Sequence, residues 1–292
     1  MEILDGNKIA GEIKNEIAES VKKNLILNKR CPHLAAILVG NNGASETYVA
    51  AKVKACEKVG FISSLIRFDE NVSQEKLLKK IAEINCDNKI DGLIVQLPLP
   101  KHINEIKITQ SINPLKDVDG FHPVNLGKMQ LNLPTYISAT PAGIVELLKR
   151  YNIETSGKHC VVLGRSNIVG LPISILMGKN NKIGNCTVTL THSRTKNLKD
   201  ITKQADILIV ALGIAEFIDK SMIKDGVCII DVGITRVKSD KTKSGWKLLG
   251  DVNFNSVKDY CSYITPVPGG VGPMTIAMLL QNTLKSANKE IY

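Results

Sequence analysis

Tyr48 and Lys52 are the first residues in this chain whose spacing suggests chemistry. They stand four apart in a stretch that reads as a helix, which puts both side chains on one face. A phenol beside an amine can pass a proton, provided the amine spends time neutral. A second polar group comes from Gly92-Leu-Ile-Val-Gln96-Leu97-Pro98-Leu-Pro100, where Gln96 ends an apolar run that reads as a buried strand. Ligand sites in open α/β sheets lie at such carboxyl ends of strands. A third comes from Lys116-Asp117-Val118-Asp119-Gly120-Phe121, with two carboxylates in a glycine turn. Each has a plainer reading when taken singly: the Tyr/Lys pair as an amphipathic surface, the aspartates as turn formers. Their occurrence together in one region of the chain favours a site.

The other region with chemical content is Val161-Val-Leu-Gly164-Arg165-Ser166-Asn-Ile168-Val169-Gly170-Leu-Pro172, a strand, a tight turn and a helix start. Such a turn aims backbone N–H groups and the helix dipole at a phosphate. It departs from the regular glycine fingerprint, since Ser166 and Val169 occupy the second and third glycine positions. The next strand ends in Thr191-His192-Ser193-Arg194-Thr195 without the acid that would hold a ribose 2′-hydroxyl. Arg165 and Arg194 suit a 2′-phosphate instead, which points to NADP. The chain order excludes a short-chain dehydrogenase, where a Tyr-x-x-x-Lys pair follows the glycine loop; here it lies far upstream.

These residues need two α/β regions to position them. In the first, Ile9, Ile13, Ile17 and Val21 mark an amphipathic helix, followed by strands at Leu34–Val39, Ile62–Phe68 and Gly92–Leu97, with helices over Ala50–Val59 and Gln74–Ile84. Alternation of this kind predicts a parallel sheet covered by helices. Residues 98–138 read as site-building loops. A helix is expected from Thr140-Pro141, with Thr140 as its cap. The second region carries strands at Lys158–Gly164, Thr187–Thr191, Ile207–Ala211, Val227–Asp231 and near Leu248–Val252, then a last helix over Met274–Ser286. The lysine-rich run Lys238–Lys247 reads as a solvated hairpin tip.

Composition narrows the classes. The chain has 292 residues, 43% of them hydrophobic, enough for two modest domains with real cores. Its longest apolar runs are too short to span a bilayer, and the opening residues do not read as a signal peptide. Seven cysteines without a Cys-x-x-Cys pair suit reduced thiols in a cytoplasm. The net charge of +10 is spread along the chain, which favours a lysine-rich surface, or attraction of small polyanions, over nucleic-acid binding. The five histidines lack ligand spacing, so no metal site is expected.

The motifs resemble those of the bifunctional methylenetetrahydrofolate dehydrogenase/methenyltetrahydrofolate cyclohydrolase family. The resemblance runs through Ala44-Ser45-x-x-Tyr48-Val49-x-x-Lys52, Asp91-Gly92-x-x-Val95-Gln96-Leu97-Pro98-Leu99-Pro100 and Lys116-Asp117-Val118-Asp119-Gly120-Phe121-His122. It continues through Gly164-Arg165-Ser166-x-Ile168-Val169-Gly170-x-Pro172, Gly250-Asp251-Val252 and Thr265-Pro266-Val267-Pro268-Gly269-Gly270-Val271-Gly272-Pro273-Met274-Thr275.

The resemblance implies an α/β protein with two lobes flanking a cleft, the second a Rossmann-like NADP-binding domain with a parallel sheet. Residues 1–139, completed by the C-terminal helix at about 274–292, would bind folate; 140–273 would bind NADP. It implies oxidation of 5,10-methylenetetrahydrofolate with NADP, then hydrolysis to 10-formyltetrahydrofolate, by a cytoplasmic homodimer whose folate substrate can carry a glutamate tail. Tyr48 would stack on the folate, Lys52 transfer the proton, Gln96 support Lys52 and Asp119 hold the pterin, with Leu97, Pro268 and Gly269 also against the substrate. Gly164, Arg165, Ser166, Ile168, Ser193, Arg194, Ile234 and Thr275 would contact the cofactor. Departures from the family pattern fall at Ala139 (commonly Cys), Asn41-Asn42-Gly43 (commonly Asp-Asn-Pro) and Gly213-Ile214-Ala215 (commonly Gly-x-Pro). Competing readings are a related two-lobed NAD(P) dehydrogenase with another small substrate, and a nucleotide-sensing binding module. The first does not account for Tyr48, Lys52 and Gln96 beside the Pro-Val-Pro-Gly-Gly-Val-Gly-Pro run, and an intact Lys52, Gln96 and Asp119 set argues against the second.

Overall fold

A computed structural model describes residues 1–240, 242 and 245–292. Along the chain run β1 (Glu2–Ile3), α1 (Gly6–Ile26), β2 (His33–Val39), α2 (Gly43–Val59), β3 (Ile62–Phe68), α3 (Gln74–Cys86), β4 (Gly92–Val95), α4 (Glu105–Ser111), α5 (Pro123–Gln130) and α6 (Ala139–Arg150). They are followed by β5 (His159–Leu163), α7 (Gly170–Gly178), β6 (Thr187–Thr191), α8 (Leu198–Thr202), β7 (Ile207–Val210), β8 (Val227–Asp231), β9 (Thr235–Lys238), β10 (Trp246–Leu249), α9 (Phe254–Val257), β11 (Cys261–Ile264) and α10 (Val271–Ala287). The chain forms two compact units: Gly11–Ala139 with Ile276–Tyr292, and Met1–Ala10 with Thr140–Thr275.

The unit containing Lys52 is built on a parallel three-stranded sheet of order β3-β2-β4. Nearly every residue of the central β2 is buried, as its apolar run requires. Ala35, Ile37 and Val39 of β2 and Leu93 and Val95 of β4 share one core with Leu77, Ile81 and Ile84 of α3 and Ile108 of α4. On α1, Ile13, Ile17 and Val21 are buried at the expected four-residue interval. Within the departing Asn41-Asn42-Gly43 stretch, Asn42 keeps a local role: its side chain accepts from Ala44 N and Ser45 N and caps α2. Gly60, in the left-handed region, ends the same helix. Residues 98–138 are more ordered than expected, because α4 and α5 lie there. Both are too short for a helical period to stand out in sequence.

The other unit carries a six-stranded sheet of order β1-β11-β8-β7-β5-β6, all of its pairs parallel. The strand order reverses between β5 and β7, which is where open α/β sheets bind ligands. Its core joins Val161 and Leu163 to Leu208, Val210, Ile229 and Ile264. Two expectations are corrected here. The segment near Leu248–Val252 does not join the main sheet: β10 pairs antiparallel with β9 as a separate hairpin, and β1 and β11 complete the sheet instead. Residues 241, 243 and 244 of the expected lysine-rich hairpin tip lie outside the described residues. Thr140 is not a cap: α6 starts one residue earlier, and the Thr140 hydroxyl lies 2.9 Å from the Thr275 hydroxyl. Among the described residues no helix is long and apolar enough to cross a membrane.

Candidate active site

Lys52 sits on α2 with 5% of its surface exposed. Its Nζ donates to Gln96 Oε1 at 3.2 Å and lies 4.9 Å from the centroid of the Tyr48 ring. Gln96 follows β4, and its backbone N–H bonds Ile37 O at 2.9 Å, continuing the sheet by one residue. Its own amide is oriented by donation from Nε2 to Leu97 O at 2.7 Å. An oxygen is therefore what faces the lysine, and the partner is neutral. Burial pushes the Lys52 pKa down, with Asp119 and then Cys56 pulling it back up. The Asp119 carboxyl is raised by burial and lowered by Lys52. One turn further along α2, burial pushes the Cys56 thiol up to about 12, so it stays protonated. Tyr48, Lys52, Gln96 and Asp119 thus belong to one neighbourhood, where burial favours the neutral amine over the ammonium. Leu97 and Asp119 also line a water-sized cavity of about 10 Å³.

Asp117 serves the turn and not the lysine. Its carboxylate accepts from Phe121 N at 3.2 Å, His122 N at 2.7 Å and Asn125 Nδ2 at 2.7 Å. Burial lifts it to about 7 against the pull of those donors. The turn is also held by α10, where Asn282 Nδ2 donates to Val118 O and Ile137 O, both at 2.9 Å. Sequence reasoning passed over Asn282; a single amide on the buried face of an apolar helix was its signal.

In the other unit, β5 runs into Gly164, whose φ of +107° is open to glycine and little else. A Cβ there would stand 2.2 Å from Ala211 O, at the end of β7, and one on Gly170 would stand 1.9 Å from Gly164 O. Close backbone approach at both points leaves a cradle at the switch point, with the start of α7 behind it. Ser166 Oγ accepts from Val169 N at 3.2 Å and Gly170 N at 3.4 Å, doing the work of a helix cap. Arg165, Ser166 and Ile168 are exposed on this loop, and Ser193 and Arg194 on the loop after the neighbouring β6. The two arginines therefore stand at the same end of adjacent strands. These residues fit a dinucleotide with a 2′-phosphate: a backbone cradle for the pyrophosphate, two cations, and no acid to repel the extra charge.

Ile234, Pro268 and Gly269 line a cavity of about 220 Å³ together with Asn7, Asp231 and Gly270. Thr275 belongs to this unit as well, paired with Thr140. Another cavity, about 340 Å³, lies at the amino ends of β5, β7, β8 and β11, the wrong end of a parallel sheet for the nucleotide.

Two carboxylates that sequence reasoning left without a role shape the loops here. Asp251 accepts from Leu212 N at 2.6 Å and from Gly213 N and Ile214 N, both at 2.9 Å. Asp231 accepts from Gly233 N at 3.0 Å, Asp251 N at 2.9 Å and Val252 N at 3.0 Å. Burial raises Asp231 to about 6.

Comparison with known proteins accounts for both parts of the chain. Residues 4–119 match the model of the tetrahydrofolate dehydrogenase/cyclohydrolase catalytic domain, and residues 138–291 that of its NAD(P)-binding domain. The bifunctional protein FolD of Cytophaga hutchinsonii is 60% identical over 287 residues, covering 98% of this chain and 99% of that protein. The crystal structure of the Campylobacter jejuni methylenetetrahydrofolate dehydrogenase/cyclohydrolase superposes with a TM-score of 0.92 at 46% identity, covering 99% of each chain. The Trypanosoma brucei enzyme, solved with NADP cofactor and inhibitor, superposes at 0.94 with 36% identity over 99% of this chain and 98% of that one. Identity at these levels over essentially the whole length leaves a single assignment: the chain belongs to the tetrahydrofolate dehydrogenase/cyclohydrolase family.

Proposed function

We propose that this chain oxidises 5,10-methylenetetrahydrofolate to 5,10-methenyltetrahydrofolate with NADP and hydrolyses the product to 10-formyltetrahydrofolate. Folate binding belongs to residues 1–139 with the last helix, about 274–292, and cofactor binding to residues 140–273. The observation that carries this reading is the buried Lys52 amine, held on the neutral Gln96 oxygen next to Tyr48 and Asp119 in a member of this family.

NADP, when bound, supplies the acceptor for the hydride that leaves the methylene carbon. The residues that hold it are Gly164, Arg165, Ser166, Ile168, Ser193, Arg194, Ile234 and Thr275, with Arg165 and Arg194 toward the 2′-phosphate. On the folate side Tyr48 offers a flat face to the substrate, Asp119 accepts hydrogen bonds from the pterin, and Leu97, Pro268 and Gly269 add surface. The first step needs chiefly alignment. In the second, water adds to the methenyl carbon. Neutral Lys52 takes a proton from that water and returns it to a ring nitrogen as the carbon–nitrogen bond opens, while the adduct's remaining hydroxyl proton leaves to solvent as the formyl C=O forms. Gln96 holds the amine in place without adding a charge that would keep it protonated. The reading extends to a cytoplasmic homodimer whose folate substrate can carry a glutamate tail, with neither nucleic acid nor membrane as partner.

The test is a spectrophotometric assay of purified protein with methylenetetrahydrofolate, run with NADP and separately with NAD. Reduced cofactor with NADP, and little accumulation of the methenyl product, is the expected result. Turnover with NAD alone would overturn the 2′-phosphate assignment; no turnover with either would overturn the activity.

A further inference from the structure

The turn that carries Asp119 is tied to a residue far along the chain. Asp117 is 1% exposed, and its three acceptor bonds, to Phe121 N, His122 N and Asn125 Nδ2, fold the segment around Asp119. Asn125 is itself fully buried with every polar side-chain atom engaged. Its Nδ2 donates to Pro114 O at 3.1 Å and to Asp117 Oδ2 at 2.7 Å; its Oδ1 accepts from the Thr135 hydroxyl at 2.8 Å and the Tyr292 hydroxyl at 2.6 Å. Two hydroxyl donors on the oxygen decide which way the amide points, and so turn its NH₂ edge toward Asp117. The Tyr292 ring is fixed in turn. Its centroid lies 5.7 Å from that of Tyr136, and Lys128 Nζ sits 3.8 Å over its face.

We propose that Tyr292, acting through Asn125 and Asp117, is a positioning residue that fixes the turn from which Asp119 meets the folate. The proposal rests on the reading of Asp119 as a pterin partner. A buried hydrogen-bond chain polarises along its length, and each member loses orientation when the next is removed. Without the Tyr292 hydroxyl, Asn125 Oδ1 keeps only Thr135, and the amide that anchors Asp117 is free to tilt. The turn must then be ordered by the substrate, which weakens binding and leaves the chemical step alone.

Tyr292→Phe keeps the ring and removes the hydroxyl. The expected result is a KM for methylenetetrahydrofolate raised about three- to tenfold, the effect of one buried hydrogen bond. kcat and the KM for NADP stay at wild-type values, and hydrogen exchange of the Phe121 and His122 amides is faster than in the wild type. A purely structural role would lower Tm and leave the folate KM where it was. Wild-type exchange at Phe121 and His122 in Tyr292→Phe overturns the relay whatever the catalysis does. A wild-type folate KM in Tyr292→Phe, alongside impaired folate binding in Asp119→Ala, overturns the positioning role and leaves the proposed activity standing. Unimpaired folate binding in Asp119→Ala overturns the Asp119 reading and the proposal with it.

Discussion

A lysine with 5% exposure and an uncharged amide oxygen as hydrogen-bond partner is held ready to lose its proton. If neutral Lys52 is the base, hydrolysis of the methenyl substrate rises with pH through a pKa that burial has moved below the ordinary lysine range. Lys52→Met is expected to keep folate and NADP affinity in binding titrations and to lose the decay of methenyl absorbance; undiminished hydrolysis would remove Lys52 from the mechanism. Gln96→Glu places a carboxylate against Nζ, which favours the ammonium and should displace the rising limb of the pH–rate profile to higher pH. An unmoved limb would mean that Gln96 does not control the lysine. Tyr48, Lys52 and Gln96 were legible in the sequence because a helical spacing and a polar residue ending an apolar strand are both local signals. Asp231 and Asp251 were not: an Asp near a glycine looks like a turn former, and only the folded backbone shows three N–H groups converging on each carboxylate.

Among the elements, the turn from β5 into α7 has the least tolerance. Gly164→Ala would put a methyl 2.2 Å from Ala211 O in a backbone conformation with φ of +107°. The strain is of order 2 kcal/mol or more. We expect NADP affinity to fall at least tenfold by fluorescence titration while folate affinity holds; wild-type NADP binding would disconnect this turn from the cofactor. The parallel strands around it were readable because burial on both faces demands continuous apolar runs. The two-residue β1 and the short β11, where buried and half-buried residues mix, give no such run. The α4 and α5 helices of seven and eight residues span about two turns each, too few for a 3.6-residue period to emerge from loop-like composition.

At the scale of the whole molecule, two buried carboxyls add a fall in stability as pH rises above the usual carboxylate range. Asp117 rises from 3.8 to about 7 and Asp231 from 3.8 to about 6, so both bind a proton more readily in the folded state than in the unfolded chain. Their contribution is complete below pH 3.8 and is lost as pH rises through about 6 and then about 7. Urea midpoints should therefore fall between about pH 4 and pH 7, the window these two groups span. A flat or rising midpoint would contradict the assignment.

The Asp251 bracket bears on how a chain of net charge +10 sorts its anions. Leu212, Gly213 and Ile214 present three N–H groups just past β7, beside the nucleotide turn, and such a nest would welcome a phosphate. Asp251 fills it with a resident counter-ion that cannot diffuse away. The carboxylate thereby occupies the nest after β7 and leaves the turn after β5 as the open anion site. Asp251→Ala should vacate the nest and make inorganic phosphate a competitor of NADP; phosphate without effect on the variant's NADP affinity would overturn the reading of the nest as an anion site.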